Sequence, residues 1–542
     1  MVKLLIDGRE VEMEGGATVL AAAAKLGIEI PTLCHWEGCD AQTSCLVCGV
    51  KINGGARLVP SCATVVVEGM EVESETAEVR AFRKAAIELI LGEHAGDCRG
   101  PCENVCPAHM DIPAMLRCVE AGDLKGAVTV VKETIPLPAT LGRICPELCE
   151  KGCRRAAFDQ AVSICAVKRY VGDKGIEAGA SFLPECGAAS GKRVAIVGGG
   201  AAGLTAAWFL RLKGHGVVVF DERLLPGGAM RHAIGEERLP RAVLNAETQL
   251  IEAMGVEFFM NTRVDATMME QLRRDFDAVL LTVGTVDKVV AAGLGVEFVG
   301  KGVKVDRKTM QTGVAKVFAA GGAVSPSQYA VRAVADGKIV AERIHAFLGG
   351  EVCEENGFAS RMGRLSDAEM DRFFAEVPTI SREVPRGGMK ETLSDVRAVH
   401  EAARCGHCEC SKLDSCRLFA VATRYGVNAG KFRGARREFR RESSHRVVVY
   451  EPGKCIACGL CVAIASKAAE PLGLTFVGRG FDVKVGVPLN AEFGKALERV
   501  ARECVAACPT GALDLRYDTS ADTDTRRVSL PQVTERRSSI DG

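Results

Sequence analysis

Three cysteines spaced C-x2-C-x2-C, Cys455, Cys458 and Cys461, stand in the stretch GKCIACGLCVAIASKAAE. They belong to a chain of 542 residues with 24 cysteines, gathered at 34–62, 98–106, 145–153, 405–416 and 455–508. Between Cys186 and Cys405 only Cys353 intervenes. Thiolates are metal ligands, and dense, regularly spaced groups of them are the pattern expected of ligation. Iron–sulfur clusters are the expectation, with zinc sites or plain core cysteines as alternatives. No C-x-x-C-H occurs, so covalently attached haem is excluded.

The rest of the composition narrows the class. Hydrophobic residues make up 47% and charged residues 25%, as in a globular protein of several domains. Lys plus Arg and Asp plus Glu both number 69, so no net field points to nucleic acid. No run of about 18 apolar residues offers a membrane span. The opening MVKLLIDGREVEMEGG alternates like a strand and lacks the apolar core of a signal peptide. A cytoplasmic protein is expected, where disulfides are disfavoured.

Residues 1–80 place Cys34, Cys45, Cys48 and Cys62 at C-x10-C-x2-C-x13-C, between strand-like runs and Gly-rich turns. A wide loop plus a tight pair can wrap a two-iron cluster. This spacing, with CLVCGVKINGGARLVPSCAT and GMEVES, resembles the β-grasp 2Fe–2S domain of the complex I iron–sulfur subunit and of iron-only hydrogenases. Cys39 falls outside the pattern and reads as a small buried residue.

Residues 81–190 read as a helical segment carrying EHAGDCRGPCENVCPAHMDIPAML and GRICPELCEKGCRR. These runs resemble the N-terminal cluster domain of the glutamate synthase small subunit, which dihydropyrimidine dehydrogenase shares. The resemblance implies one 4Fe–4S cluster on Cys106, Cys145, Cys149 and Cys153. A second would use Cys98 and Cys102, with His94 and Cys165 as the remaining candidates. At the family's fourth-ligand position this chain has Lys168, a poor ligand, and Cys165 lies one turn earlier. Cys118 and Cys186 read as structural.

Residues 191–350 run strand, Gly-rich turn, helix, strand. Gly198, Gly200 and Gly203 form G-x-G-x-x-G, and glycines there let the backbone approach a pyrophosphate at a helix N-terminus. Asp221 ends the second strand where a carboxylate meets an adenosine ribose, with Glu222 beside it. FAD is favoured over NAD. As in the glutamate synthase small subunit, a Gly227-Gly228 doublet follows the acidic strand, and two later segments, around Gly284 and Gly321-Gly322, match that family's FAD contacts. This chain departs from the family twice. Only residues 286–316 separate the two FAD segments, where the family inserts an NADPH domain, so direct NAD(P)H binding in the family's way is not expected. Ala323 stands where the family has an aspartate, which weakens the case for flavin; the alternative is a retained but empty Rossmann scaffold.

Residues 351–400 read as a helical linker and 401–518 as a ferredoxin-like 4Fe–4S domain. Cys405, Cys408, Cys410 and Cys416 could close around a 4Fe–4S cluster or around zinc. In a two-cluster ferredoxin the fourth cysteine of each run ligates the other cluster. One cluster here would use Cys455, Cys458, Cys461 and Cys508. The other set would be Ala465, Glu498, Ala501 and Cys504, three of which cannot ligate, so Ala465 is no defect in the first site. The basic run GKFRGARREFRRE (431–442) reads as a solvated or cluster-facing surface, and 519–542 as a disordered tail.

The expected fold class is therefore multidomain α/β and α+β. It comprises a β-grasp 2Fe–2S domain, a helical 4Fe–4S domain, a single Rossmann-like FAD domain and a C-terminal ferredoxin-like domain. No catalytic acid–base pair stands out. With FAD, one 2Fe–2S and three or four 4Fe–4S clusters, the expected function is electron transfer between subunits of a soluble oxidoreductase complex. The expected partners are formate dehydrogenase-, hydrogenase- or NAD(P)-linked flavoprotein-type subunits, with ferredoxin a further one. The alternatives are an NAD(P)H dehydrogenase subunit and a zinc-stabilised scaffold.

Overall fold

The computed structural model describes residues 1–351 and 358–516. Cys353 and the tail 519–542 lie outside them. The chain divides into two compact units, neither contiguous in sequence. The first comprises Met1–Arg99, Asn356–Ala375 and Glu409–Gly542, and the second Gly100–Glu355 and Glu376–Cys408. The contiguous segments read from the sequence are thus cut at 99/100 and at 408/409.

In the first unit, a five-stranded mixed sheet runs in the order Arg9–Met13, Val2–Ile6, Met70–Glu73, Gly49–Ile52, Leu58–Pro60. Asp7-Gly8 makes the two-residue hairpin that starts it, both residues at positive φ (49° and 77°), which is the turn that Asp-Gly favours. Leu4 and Ile6 alternate inward and pack with Val11, Val19, Ala22, Val50 and Val72. The helix Ala77–Glu93, capped by Thr76, ends at His94. Further along the chain, Val448–Tyr450 pairs antiparallel with Leu513–Leu515, flanked by the helices Leu460–Lys467 and Ala501–Ala507.

The second unit opens with helices between Pro101 and Ala178. It continues as a parallel sheet in the order Val317–Ala319, Ala278–Leu281, Arg193–Val197, Gly216–Phe220, Val256–Phe259. The runs RVAIV, GVVVF and AVLL are apolar at nearly every position because the central strands are covered on both faces. The helices Ala201–Leu212 and Ala330–Phe347 pack together at Gly337, where an added methyl would strike the Ala202 carbonyl. Between Ala278–Leu281 and Val317–Ala319 the chain forms only the helix Lys288–Gly293 and the short antiparallel pair Phe298–Val299 and Gly302–Val303. No second nucleotide lobe is inserted there among the described residues.

Candidate functional site

In the first unit, Cys34, Cys45, Cys48 and Cys62 are all buried. Cys34 and Cys45 lie 3.3 Å apart, Cys48 and Cys62 3.4 Å. A hydrogen bond from Cys45 pulls Cys34 down to about 5, and one from Cys62 pulls Cys48 down to about 6, while Cys45 and Cys62 are pushed up. Two closely spaced thiol pairs, each with one readily deprotonated member, suit a two-iron centre.

Cys455, Cys458, Cys461 and Cys508 line one cavity, closed by Tyr450, Leu460, Thr510 and Leu513. Cys508 lies 47 to 53 residues after the other three, and the neighbouring helices Leu460–Lys467 and Ala501–Ala507 pack together to bring them close. Ala465 is buried beside them, and Cys504, fully buried, points its sulfur at the Cys461 carbonyl 3.7 Å away. Both are packing residues.

Arg417 lies between these two cysteine sets. Its guanidinium donates to the His35 carbonyl (3.2 Å), next to Cys34, and to the Ala507 carbonyl (2.5 Å), next to Cys508. It lies within electrostatic reach of Cys458, Cys508, Cys45 and Cys34 and stacks on Trp36. Nothing in the sequence marked it.

A third gathering in this unit joins residues expected in separate sites. Cys98 accepts from the Ser360 amide (3.3 Å), and its carbonyl accepts from Cys410 N–H (3.4 Å). Cys416, its thiol pushed up to about 12 by burial, lies within reach of Cys410, Cys98 and Cys508. Gly511 leaves no room for a side chain, because a methyl there would collide with Cys410 Sγ. His94 sits nearby through Lys454, which Cys410 and Glu451 hold protonated against burial. Burial pushes the imidazole down to about 4, and its Nδ1 is buried with no hydrogen-bond partner. A neutral, unpartnered ring nitrogen fits a metal ligand. The basic run 431–442 is occupied by ion pairs of this unit, among them Lys431–Glu88 (2.7 Å), Arg436–Glu369 (2.6 Å), Arg437–Glu93 (3.1 Å) and Arg441–Glu451 (2.9 Å).

In the second unit, Cys106, Cys145, Cys149 and Cys165 all lie within electrostatic reach of the Lys168 ammonium, whereas the family resemblance implies Cys153 in this set. The helices Pro138–Ile144 and Ile164–Ala178 pack at Gly142 and Gly172, both without space for a methyl, and this seats Cys165 against the other two. Cys165 lies close enough to Cys145 and Cys149 for their thiols to shift its own. Lys168 sits one turn on, fully enclosed, its Nζ donating to Cys165 Sγ (3.7 Å). Burial works against its charge, but Cys165, Cys145, Cys149 and Cys106 together hold it protonated. Cys153 lies within electrostatic reach of Cys405 and Cys102, and the neighbouring Gly152 packs without room for a methyl against Val105 and the Pro101 carbonyl.

Among the described residues no three His, Cys, Asp or Glu side chains converge as a single metal ion requires. Zinc draws its thiolates in to about 2.3 Å from one centre. In a four-iron cluster each iron takes one thiolate and in a two-iron cluster two, so the four sulfurs surround more than one metal and spread further apart.

The dinucleotide turn is built as its glycines require. A methyl on Gly203 would strike the Gly198 carbonyl, and one on Gly198, at φ 107°, would come within 2.5 Å of the Thr282 carbonyl. Gly200 caps the helix Ala201–Leu212. Gly228 packs on Gly200, Gly321 on Ala202, and Gly322 on Gly284, so the glycines around the helix N-terminus form one close-packed cradle that suits a pyrophosphate. Asp221 uses both carboxylate oxygens on backbone, from Gly199 N–H (2.7 Å) and Arg223 N–H (2.8 Å). Glu222 is exposed and pairs with Arg223. Ala323, where an aspartate was expected, is fully buried.

Three family models match the chain. The 2Fe–2S iron–sulfur cluster binding domain covers residues 1–77, and the 4Fe–4S domain II of dihydropyrimidine dehydrogenase covers 91–180. The NAD(P)-binding Rossmann-like domain covers 196–254. The NADP(+)-dependent formate dehydrogenase subunit beta of Moorella thermoacetica is 35% identical over 206 residues, 34% of this chain and 29% of that protein. The NADPH-Fe(3+) oxidoreductase subunit beta of Geobacter sulfurreducens is 34% identical over 266 residues, 47% of this chain and 39% of that protein. The NAD-dependent dihydropyrimidine dehydrogenase subunit PreT of Escherichia coli is 38% identical over 187 residues, 34% of this chain and 45% of that protein. The chain spans less than half the length of these relatives. No helix among the described residues is long and apolar enough to cross a membrane. The resemblance to glutamate synthase small subunit-like electron-transfer subunits holds in these regions, and the chain carries a 2Fe–2S domain, a dihydropyrimidine dehydrogenase-type 4Fe–4S domain and a Rossmann-like dinucleotide domain, in that order.

Proposed function

We propose that the chain is an electron-transfer subunit of a cytoplasmic oxidoreductase complex, of formate dehydrogenase, hydrogenase or electron-bifurcating type, holding FAD, one 2Fe–2S cluster and three or four 4Fe–4S clusters. The observation that carries this reading is adjacency. In the first unit Arg417 joins the backbone beside Cys34 to the backbone beside Cys508, and Cys416 lies within reach of Cys508. In the second, Cys102 lies in the short helix Pro101–Val105 and Cys106 caps its end one turn on. Sites this close form a relay rather than isolated structural staples.

Bound clusters would supply one-electron steps, and a bound flavin the exchange between pairs of electrons and single ones. The protein's own part is to hold thiolates at fixed spacings, exclude water and set local charge. The residues for this are Cys34, Cys45, Cys48 and Cys62 for the two-iron centre, and Cys455, Cys458, Cys461 and Cys508 for a four-iron centre. Cys106, Cys145, Cys149 and Cys165 serve another, and Cys98, Cys410 and Cys416 with His94 a further one. Gly198, Gly200, Gly203, Gly227, Gly228, Gly284, Gly321 and Gly322 shape the flavin cradle.

A second reading is an NAD(P)H dehydrogenase subunit, favoured by the names of the Moorella and Geobacter relatives. Stopped-flow mixing of the isolated chain with NADPH or NADH separates the two. Slow or absent flavin bleaching is expected, since residues 286–316 hold one short helix and a hairpin. Fast bleaching by either nucleotide would overturn the relay reading.

A further inference from the structure

Cys405 and Cys408 lie within 12 residues of Cys410 and Cys416, and a closed four-cysteine site is the simplest expectation for them. The structure divides the run. Cys410 and Cys416 belong to the first unit, whereas Cys405 and Cys408 end the second.

What holds Cys405 in place is a latch onto the loop that follows Cys153. Arg155 donates to the Arg404 carbonyl (2.5 Å). Arg404, fully buried, donates to the Gln160 carbonyl (2.8 Å) and pairs with Asp159 and Glu401. Glu401 in turn accepts from Ser163 N–H (2.6 Å). Cys153 is thereby set beside Cys405, and Gly152 presses the same turn against the helix that carries Cys102. Cys102 is buried with Cys405, Cys408 and Cys153 all within electrostatic range.

The backbone of Cys405-Gly406-His407-Cys408 repeats that of Cys455-Ile456-Ala457-Cys458, the turn that lines the cavity described above. The third residue of each is a non-glycine at positive φ, His407 at 42° and Ala457 at 52°. In each its N–H points at the first sulfur at 3.4 Å. A left-handed residue other than glycine costs about 1 kcal/mol or more, and the same costly turn appears twice, each time with the N–H of the left-handed residue on the first sulfur. The His407 ring also faces Glu120 (3.8 Å), so a hydrogen-bonding side chain stands beside the Cys405 sulfur, as is common around metal thiolates.

We infer that Cys102, Cys153, Cys405 and Cys408 hold one 4Fe–4S cluster, with half its ligands drawn from each end of the second unit. The inference rests on the iron–sulfur reading above. Its consequence is that the four cysteines between 405 and 416 serve two clusters and not one.

The test uses the full-length chain, purified without oxygen, as Cys153→Ser, Cys405→Ser, their double variant, Cys416→Ser and Cys106→Ser. Iron content and electron paramagnetic resonance of the reduced proteins are the readouts, and the remaining cluster signals report that each variant is folded. Cys153→Ser and Cys405→Ser should lose the same signal, the double variant no more than either, and Cys416→Ser and Cys106→Ser each a different one. Loss of a common signal by Cys405→Ser and Cys416→Ser overturns the inference and leaves the relay standing. A wild-type chain with zinc in place of iron overturns both. Should Cys153→Ser fail to fold, Cys102→Ser paired with Cys408→Ser decides the same point.

Discussion

Lys168 shows what one residue can do beside a cluster. Sequence comparison places it where the family has a ligand, and the structure encloses its ammonium among Cys106, Cys145, Cys149 and Cys165. A fixed positive charge near a centre that gains an electron favours reduction. At about 6 Å and an effective dielectric near 20, one unit charge is worth about 3 kcal/mol, on the order of 100 mV for one electron. Lys168→Met should therefore lower the potential of that centre by roughly this amount in a redox titration followed by electron paramagnetic resonance, with iron content unchanged. The role was not legible beforehand because spacing identifies residues that can ligate, whereas a charge that tunes through space has no spacing to obey. Arg417 escaped for the same reason.

At the scale of elements, the short helix Pro138–Ile144 begins without a capping side chain of its own. Glu247, from the distant helix Arg241–Ala253, supplies one. Its carboxylate accepts from Ala139 N–H (2.7 Å) and Thr140 N–H (2.9 Å). Burial raises Glu247 to about 7 from the usual 4.5, against the pull of those hydrogen bonds. The folded chain then binds the proton more tightly than the unfolded one. Its contribution to stability is present below 4.5 and is lost as pH rises toward and through 7. Glu247→Ala orphans two buried donors at about 1–3 kcal/mol each, so thermal denaturation at pH 6 should show a clear loss of stability. Glu247→Gln should lose less and flatten the slope between pH 4.5 and 7. The periodic strands, the glycine turn and the cysteine runs could be read in advance because each is local. The Glu247 cap joins residues more than 100 positions apart, and only the packing of two helices discloses it.

At the scale of the whole chain, the twenty candidate ligands read from the sequence are the ones the proposed clusters draw on, but in different company. Local runs fix which residues can bind metal. They do not fix the partition, since C-x2-C and C-x3-C pieces from several segments can be combined in more than one chemically acceptable way. Cys153 and Cys165 are twelve residues apart, and which of them joins Cys145 depends on helix packing at Gly142 and Gly172. Five filled sets, one of two irons and four of four, correspond to about 18 iron atoms per chain. Iron determination on anaerobically prepared protein should approach that figure, and a shortfall of about four would mean that one set stays empty.

Arg417 carries one permanent positive charge and grips the main chain beside two neighbouring thiol sets at once. An electron arriving on either side is attracted by that same charge and partly neutralises its pull on the other. The second arrival is then less favourable than the first. Two centres tied to a shared cation in this way behave as a pair with split affinities, tending to hold a single electron between them, and pass electrons onward one at a time.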